Sequence, residues 1–150
     1  MLKPHHLGIV VKNLDKAAKF YEEYLGFERV SKVFTVDDPD YGVRYVFVNA
    51  NGILLELLEP IRGPWVERLA QRGEGAIWEI CFAVDSVEEM YDKFKAKGIT
   101  LEDRFGRPLI KQKYVHNVTS TGNKFAYVPA EAAFGTWIEL LEQCGTKLVP

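Results

Sequence analysis

Two stretches of the chain share one order of apolar and polar positions. Residues 6–27 begin with a strand-like apolar run and a short polar turn. They then place apolar residues three and four positions apart, which predicts an amphipathic helix. Residues 79–99 repeat that order, with Ser86 placed to cap the second helix. Each predicted helix ends at a glycine, Gly26 or Gly98, because a helix C-terminus favours a residue that tolerates a positive φ angle. The chain therefore contains an internal repeat.

Strand patterns follow the helix in both halves. In the first half, FERVSKVF and GVRYVFVNA lead to Asn51-Gly52, a strong signal for a hairpin turn, and then to ILLELLE. In the second half, ITLEDRF precedes a long polar stretch at residues 106–123, and KFAYV and TWIELLE come after it. Each half therefore reads as a βαβββ module.

The predicted fold class is α+β, with two tandem βαβββ modules that form one curved, mostly antiparallel sheet. We place module 1 at about residues 4–60, a linker at 60–75 and module 2 at about 76–143, all within a single domain. The linker is expected to contain a short helix from Pro64 to about Arg72.

The repeat places ionisable residues at matching positions inside apolar strands. Glu56 and Glu139 are equivalent positions in the last strand of each half, and His6 and Glu79 are equivalent positions in the first strand. If a pseudo-twofold axis relates the halves, these four side chains converge on a central cleft for a metal and a substrate. Three carboxylates and an imidazole in a partly dry cleft need a cation, and a divalent metal satisfies them all.

Composition and charge narrow the function classes. The chain of 150 residues is 47% apolar and 27% charged, which is typical of a globular protein, and its net charge of −2 indicates no nucleic-acid partner. There is no signal-peptide pattern and no apolar run of transmembrane length, so we expect no membrane partner and predict a cytoplasmic location. Cys81 and Cys144 form neither a zinc motif nor a disulfide framework, and Cys81 is expected to be a small buried apolar residue.

The paired modules and the four polar positions resemble the vicinal oxygen chelate superfamily, and most of all its methylmalonyl-CoA epimerase branch. The resemblance is carried by HHLGIVVKNLDKAAKFYEEYLGF, GVRYVFVNANGILLELLEP and WIELLEQ, and it extends over essentially the whole chain. It implies a homodimer that acts on a small-molecule substrate. It also implies one divalent metal ion held by four strands, with the ligands His6, Glu56, Glu79 and Glu139.

The chemistry that this resemblance implies is removal of a proton α to a carbonyl group, with the metal acting as a Lewis acid. Glu139 is the first candidate for the base, and Glu56 or Glu79 is the candidate on the opposite face. The expected function is an epimerase acting on an acyl-CoA such as methylmalonyl-CoA. Two alternatives stay open: a glyoxalase I-type lyase acting on a glutathione hemithioacetal, and a non-catalytic protein that binds a small molecule such as a drug.

Three departures from the family pattern bear on this expectation. The third ligand of epimerases and glyoxalases is usually a histidine, whereas this chain has Glu79 after Trp78. One nitrogen and three carboxylate ligands favour manganese, magnesium or cobalt over zinc and copper, with nickel also among the candidate metals. The other departures are the basic stretch 106–123 and the sequence YVPAE at 127–131, where the family often has a histidine before the proline.

Candidate substrate contacts lie on the strands and in the basic stretch. The predicted substrate-binding residues are Arg44, Tyr45, Trp78, Lys111, Lys113, His116 and Trp137. The simpler alternatives are ordinary core packing for the aromatic residues and a solvated loop for the basic residues. The last strand of each half contains the sequence ELLE, at residues 56–59 and 139–142. Its second glutamate, Glu59 or Glu142, is expected to be an exposed strand residue.

Overall fold

The structure is a computed structural model that describes residues 2–118 and 120–149, and these contain three helices and nine strands. The first half consists of β1 (Lys3–Val10), α1 (Leu14–Glu23), β2 (Glu28–Arg29), β3 (Phe34–Asp38), β4 (Tyr41–Ala50) and β5 (Ile53–Arg62). There follow α2 (Pro64–Arg72), β6 (Ile77–Ala83), α3 (Val87–Ala96), β7 (Val115–His116), β8 (Lys124–Val128) and β9 (Trp137–Glu142). The predicted α+β class, with a repeated strand–helix–strand order and mostly antiparallel pairing, is confirmed.

The chain divides into two compact units. The N-terminal unit contains residues 6–78 and 148–149, and the C-terminal unit contains residues 2–5 and 79–147. The division between the units therefore falls inside β1, after His5, and inside β6, after Trp78. The module boundaries predicted from the sequence, which keep β1 whole, stay a prediction.

In the N-terminal unit, β4 pairs with most of the other strands. It is antiparallel to β2, β3 and β5, and β5 is parallel to β1. The core on one face of this sheet includes α1 and consists of Val11, Leu14, Ala18, Val46, Val48, Leu55 and Leu57. The predicted amphipathic helix is confirmed: α1 buries Leu14 and Ala18, and its Ala17 and Tyr21 are partly buried against the same core. Because Leu55 and Leu57 face this core, Glu56 between them faces the other side.

The C-terminal unit repeats the arrangement with fewer strands. β6 is parallel to β9, β9 is antiparallel to β8, and β8 is antiparallel to β7. α3 buries Val87 and Tyr91. The hydroxyl of Ser86 accepts a 3.2 Å hydrogen bond from the N–H of Glu89, so the predicted cap of this helix is confirmed.

The second glutamate of each ELLE sequence accepts a hydrogen bond from the first residue of a helix. Oε2 of Glu59 accepts the N–H of Leu14, the first residue of α1, at 2.7 Å. Oε2 of Glu142 accepts the N–H of Val87, the first residue of α3, at 3.0 Å. The exposed fraction of the side chain is only 18% for Glu59 and 19% for Glu142. The expectation that both are exposed strand residues is wrong, because each carboxylate satisfies a helix N-terminal donor and faces the positive end of the helix dipole.

Two predicted strands differ from the structure. FERVSKVF is not one strand: β2 and β3 are separate short strands, and both pair with β4. Along ITLEDRF, all of whose residues are described, only Glu102 makes isolated bridges. Asp103 is the physical reason, since its Oδ1 accepts the N–H groups of Phe105 and Arg107 at 2.8 and 2.9 Å and turns the chain.

The helix predicted between the halves is confirmed as α2, Pro64–Arg72. Pro64 stands in its first turn, where the missing N–H is tolerated. Gly63 precedes it with φ of +86° and ψ of −166°, a backbone conformation that is essentially restricted to glycine. A Cβ atom at this position would lie 2.5 Å from the carbonyl oxygen of Asp40, so two constraints select glycine here.

Candidate metal centre

The N-terminal unit contains a buried histidine–carboxylate pair. His6 on β1 and Glu56 on β5 are both buried, and Nε2 of His6 lies 3.0 Å from Oε2 of Glu56. Strand register explains their approach: Gly8 is paired with Glu56, and His6 stands two residues before Gly8, so all three face the same side. This side is opposite the apolar core that includes α1.

Aromatic rings surround the pair on the same face. Phe47 is opposite Glu56 in the β4–β5 register, and its ring meets the His6 imidazole edge-on with ring centroids 5.1 Å apart. Tyr45 stands two residues earlier on β4 and stacks on Phe34 of β3, with centroids 5.2 Å apart. The rings restrict water around the pair, so the imidazole and the carboxylate interact more strongly than they would in bulk solvent.

The C-terminal unit contains two further buried carboxylates, at the equivalent positions of the repeat. The β6–β9 register pairs Glu79 with Trp137 and Cys81 with Glu139. Glu79 and Glu139 are both buried. They face the same side of this parallel strand pair, because the partner of Glu79 stands two residues before Glu139 on β9. That side is opposite α3, since Glu142, an odd number of residues after Glu139, reaches the N-terminus of α3.

Two residues on this face are absent from the predicted site. Cys81 is buried and lies opposite Glu139 on β6, while Tyr127 on β8 is paired with Glu139 from the other side. The burial of Cys81 agrees with the prediction of a small buried residue. The sequence could have indicated Cys81, because a residue two positions after Glu79 on the same strand faces the same side as Glu79. Tyr127 carried no such signal, because only the β8–β9 register brings it beside Glu139.

The donor atoms of the histidine–carboxylate pair suit a divalent ion. An imidazole nitrogen and a carboxylate oxygen are ordinary ligands of first-row divalent metals. Two ligand atoms at right angles, each about 2.1 Å from one ion, lie about 3.0 Å apart. The His6–Glu56 separation is 3.0 Å. A hydrogen bond has a similar length, so the measurement that separates the two interpretations is metal binding itself.

Arg44, a predicted substrate contact, faces away from Glu56. It stands next to Tyr45 on β4 and therefore points to the opposite side of the sheet. There its guanidinium lies 3.5 Å from the carboxylates of both Asp15 and Glu59. Arg44 thus ties α1 to β5, whereas Tyr45 shares the face of the histidine–carboxylate pair.

The two predicted tryptophan contacts lie on different faces of their strands. Trp78 immediately precedes Glu79 and so faces the opposite side, where its ring packs on Trp65 of α2 with centroids 5.6 Å apart. Trp137 is paired with Glu79 in the β6–β9 register and stands two residues before Glu139, so it shares their face. Its position next to both carboxylates leaves it a candidate for contact with a substrate.

The basic residues predicted to bind substrate belong to the α3 side of the C-terminal unit. Their stretch, 106–123, is described except for residue 119. Nζ of Lys113 pairs with Oδ2 of Asp92 on α3 at 2.8 Å, and this hydrogen bond raises the pKa of Lys113. His116 is paired across β7–β8 with Lys124, and its Nε2 lies 2.9 Å from the carbonyl oxygen of Gly122. Lys111 is exposed in the same stretch.

The chain is similar to proteins of one superfamily. The sequence model of the glyoxalase/bleomycin resistance protein/dioxygenase superfamily matches residues 3–140. Methylmalonyl-CoA epimerases from Mus musculus and Homo sapiens are 32% identical over 114 residues and 35% identical over 97 residues. These matches cover 71% and 63% of this chain but 62% and 53% of the two relatives, so the chain spans less than two thirds of their length. A lactoylglutathione lyase from Schizosaccharomyces pombe is 24% identical, over 97% of this chain and 49% of that protein.

A solved structure has the same fold. It is a variant of methylmalonyl-CoA epimerase from Streptomyces coelicolor, in complex with 2-nitronate-propionyl-CoA. The two structures match with a TM-score of 0.75 and 24% sequence identity, over 97% of this chain and 100% of the other. At this level of identity the match shows the α+β fold and does not carry over a substrate.

Proposed function

Since the chain belongs to the glyoxalase/bleomycin resistance protein/dioxygenase superfamily, we propose that it is a metal-dependent enzyme that removes and returns a proton α to a carbonyl group. The observation that carries the proposal is the repetition of buried ionisable pairs, His6 with Glu56 in one unit and Glu79 with Glu139 in the other. Burying ionisable groups costs free energy that apolar residues of similar volume would not. A functional requirement is therefore the simplest reason to find them at equivalent positions.

We propose that these four residues are the ligands of one divalent metal ion. The support is the match of residue types to positions: one imidazole and three carboxylates, one on each first and each last strand of the repeat. This set favours manganese, magnesium or cobalt over zinc and copper. When bound, the ion would supply Lewis acidity toward neighbouring oxygens of a substrate.

Glu139 is proposed as the base that takes the proton, and Glu56 as the acid that returns it. An epimerase needs two such groups, because the proton leaves one face of a carbon atom and arrives at the other. Each candidate has aromatic neighbours on its own face: Phe47 beside Glu56, and Tyr127 beside Glu139. These rings exclude water and strengthen the interaction of each carboxylate with charge that develops on the substrate.

The proposed substrate class is an acyl-CoA of the methylmalonyl-CoA type. The support is the identity to methylmalonyl-CoA epimerases over most of this chain. The second candidate is a lactoylglutathione lyase reaction, which also moves a proton α to a carbonyl group and is favoured by the match that covers 97% of this chain. A protein that only binds a small molecule is the third class, and it would not require a carboxylate base.

A deuterium-exchange experiment separates these functions. The protein is stripped of metal, loaded with manganese or cobalt, and incubated with methylmalonyl-CoA in D₂O, and deuterium at the α carbon is measured by mass spectrometry. We expect about one metal ion per chain and exchange that requires it. Thioester formation from methylglyoxal and glutathione, without exchange into the acyl-CoA, would favour the lyase. Metal binding without either reaction would favour a binding protein, and absence of stoichiometric metal would contradict the metal centre.

Glu139→Gln tests the base, and Glu142→Gln is its matched control on the same strand. Glutamine at 139 keeps an oxygen atom but not the basic carboxylate, so exchange should slow by about 10²- to 10⁴-fold. Glutamine at 142 keeps an acceptor for the N–H of Val87 and faces α3, so exchange should be close to that of the unaltered protein. Equal slowing in both variants would assign the effect to the fold of β9 and would overturn the role of Glu139.

We also propose a homodimer located in the cytoplasm. Within residues 2–118 and 120–149, none of the helices combines the length and apolar character needed to cross a lipid bilayer. The dimer is an expectation of the family, and sedimentation equilibrium on the full chain measures it directly. A mass of about 17 kDa at all concentrations, that of a single chain, would exclude it.

A further inference from the structure

A concave, lysine-lined surface lies on the α3 side of the C-terminal unit. It is a depression of about 130 Å³ between α3 and the loop after Leu109, and its lining residues are Tyr91, Lys95, Ile110, Lys111, Gln112 and Lys113. Half of these residues are lysines, in a protein whose net charge is −2. We propose that this depression, which we call the lysine depression, binds the phosphate group of a phosphomonoester.

The charge in the lysine depression exceeds what the surrounding acids neutralise. Lys113 pairs with Asp92 at 2.8 Å. Over the described part of the chain, no carboxylate lies within ion-pairing distance of Lys95 or Lys111. Two ammonium groups therefore remain for a ligand, which matches the charge of a phosphate dianion. Lysine is a common phosphate-binding residue because its compact charge and three donors suit phosphate oxygens.

The floor of the lysine depression is held in place by hydrogen bonds. The buried hydroxyl of Tyr91 donates to the carbonyl oxygen of Leu109 at 2.7 Å, and the N–H of Leu109 donates to the carbonyl oxygen of Leu101 at 2.8 Å. Nζ of Lys95 lies over the Tyr91 ring, 5.5 Å from its centroid. A ligand therefore meets a loop that is already attached to α3, which reduces the entropy lost on binding.

One exposed apolar side chain at the rim indicates an organic phosphate. Ile110 retains 82% of its exposure and stands next to Lys111. The volume of about 130 Å³ is well above the roughly 10–15 Å³ that one water molecule needs, so a small oxyanion can enter. Ile110 would then contact the organic part of the ligand while the lysines contact its phosphate.

The lysine depression is separate from the carboxylates of the proposed metal centre. Within the C-terminal unit, α3 lies on the face of β9 that Glu142 occupies, and Glu139 faces the other side. A phosphate bound beside Lys95 would therefore not touch Glu139. This inference does not rest on the proposed function. The phosphate group can come from a separate metabolite or from the nucleotide end of a long acyl-CoA, and one arm of the test distinguishes them.

The test is an NMR titration of the ¹⁵N-labelled full chain with phenyl phosphate, inorganic phosphate and benzoate, at constant ionic strength. We expect saturable shifts of the amides of residues 110–113, with phenyl phosphate binding more tightly than inorganic phosphate or benzoate. Lys111→Ala should raise the Kd for phenyl phosphate about tenfold, which corresponds to ~1.4 kcal/mol of binding free energy. Lys19→Ala is the matched control, because Lys19 is an exposed lysine on α1, 3.6 Å from Glu23, and should change nothing. Ile110→Ser should remove the preference for phenyl phosphate over inorganic phosphate.

Three results would overturn the inference: no saturable shifts at residues 110–113, equal affinity in Lys111→Ala and Lys19→Ala, or benzoate binding as tightly as phenyl phosphate. The source of the phosphate is decided by the KM for the acyl-CoA substrate. An unchanged KM in Lys111→Ala assigns the lysine depression to a separate phosphomonoester, and a raised KM assigns it to the phosphate of the acyl-CoA. If the chain turns over no acyl-CoA, the proposed function fails while the titration still decides this inference.

Discussion

Glu59→Ala should destabilise the protein while leaving the histidine–carboxylate pair intact. Glu59 shares β5 with Glu56 but faces the α1 side, where Oε2 accepts the N–H of Leu14 at 2.7 Å. Its Oε1 lies 3.5 Å from the guanidinium of Arg44. Alanine removes the acceptor at the start of α1 and leaves Arg44 with Asp15 as its remaining ion-pair partner in the described chain. The helix and the strand thereby lose a direct link.

The magnitude follows from these two contacts. A hydrogen bond to a charged group contributes about 1.5–3 kcal/mol to stability. The Arg44 ion pair adds at most about 1 kcal/mol, because both side chains are partly exposed. Asn13 still caps the helix, since its Oδ1 accepts the N–H of Lys16 at 2.9 Å. We therefore expect a loss of about 1.5–4 kcal/mol, which for a chain of this size lowers the Tm by roughly 3–16 °C.

Urea unfolding followed by circular dichroism measures this loss. The slope of the free energy of unfolding against urea should stay constant while the midpoint falls. Glu59→Gln keeps an acceptor oxygen and should lose less than Glu59→Ala. Glu142→Ala is the counterpart in the other half, because Glu142 accepts the N–H of Val87 at 3.0 Å and lies 3.8 Å from Lys124. It should lose a similar amount.

Two outcomes would refute this reasoning. Losses below about 0.5 kcal/mol in both alanine variants would mean that water replaces the carboxylates at the helix termini without penalty. A loss of metal affinity in Glu59→Ala as large as that in Glu56→Ala would mean that the two side chains do not face opposite sides of β5. Metal affinity is therefore measured on the same samples as stability.

Two further predictions concern the departure from the family pattern and a glycine of the linker. The Glu79→His variant should still bind a metal ion, but the site should shift its preference toward nickel or zinc, because imidazole is a softer ligand than carboxylate. Competition between manganese and zinc measures the shift. An unchanged preference would remove Glu79 from the ligand set. Gly63→Ala should cost more stability than Gly52→Ala in urea unfolding. Both residues have a positive φ angle, but only at Gly63 would a Cβ atom meet the backbone, 2.5 Å from the oxygen of Asp40. Equal losses would show that the backbone near Asp40 moves to make room.

The sequence alone determined the elements whose causes are local. α1 and α3 follow from apolar positions three and four apart, and the cap at Ser86 follows from a bond to a residue three positions away. The helix that begins at Pro64 follows from the preference of proline for the first turn of a helix. Strand alternation in ILLELLE is enough to imply that Glu56 faces away from Leu55 and Leu57, and in the structure both leucines belong to the core on the α1 side. Each of these inferences uses only residues close together in the chain.

Apolar–polar alternation was insufficient where a side chain binds nearby backbone N–H groups, or where the partners of a residue come from other segments. ITLEDRF alternates like a strand, yet the Asp103 side chain binds two nearby N–H groups and turns the chain. The sequence showed Arg44 and Tyr45 as neighbours on one strand and did not separate their roles. Alternation places them on opposite faces of β4, and the structure shows what each face contains: Asp15 and Glu59 beside Arg44, and Phe34 stacked on Tyr45.

Tertiary structure alone decided what Glu59 and Glu142 bind, and which residues surround Glu56 and Glu139. The partner of Glu59 is 45 residues away in the chain, and that of Glu142 is 55 residues away. Tyr127 meets Glu139 only through the register of β8 and β9. The repeat indicated which ionisable residues are equivalent, because both halves follow the same periodicity. The donors and rings that surround them were not indicated, because register and helix docking are set by packing between segments that are distant in sequence.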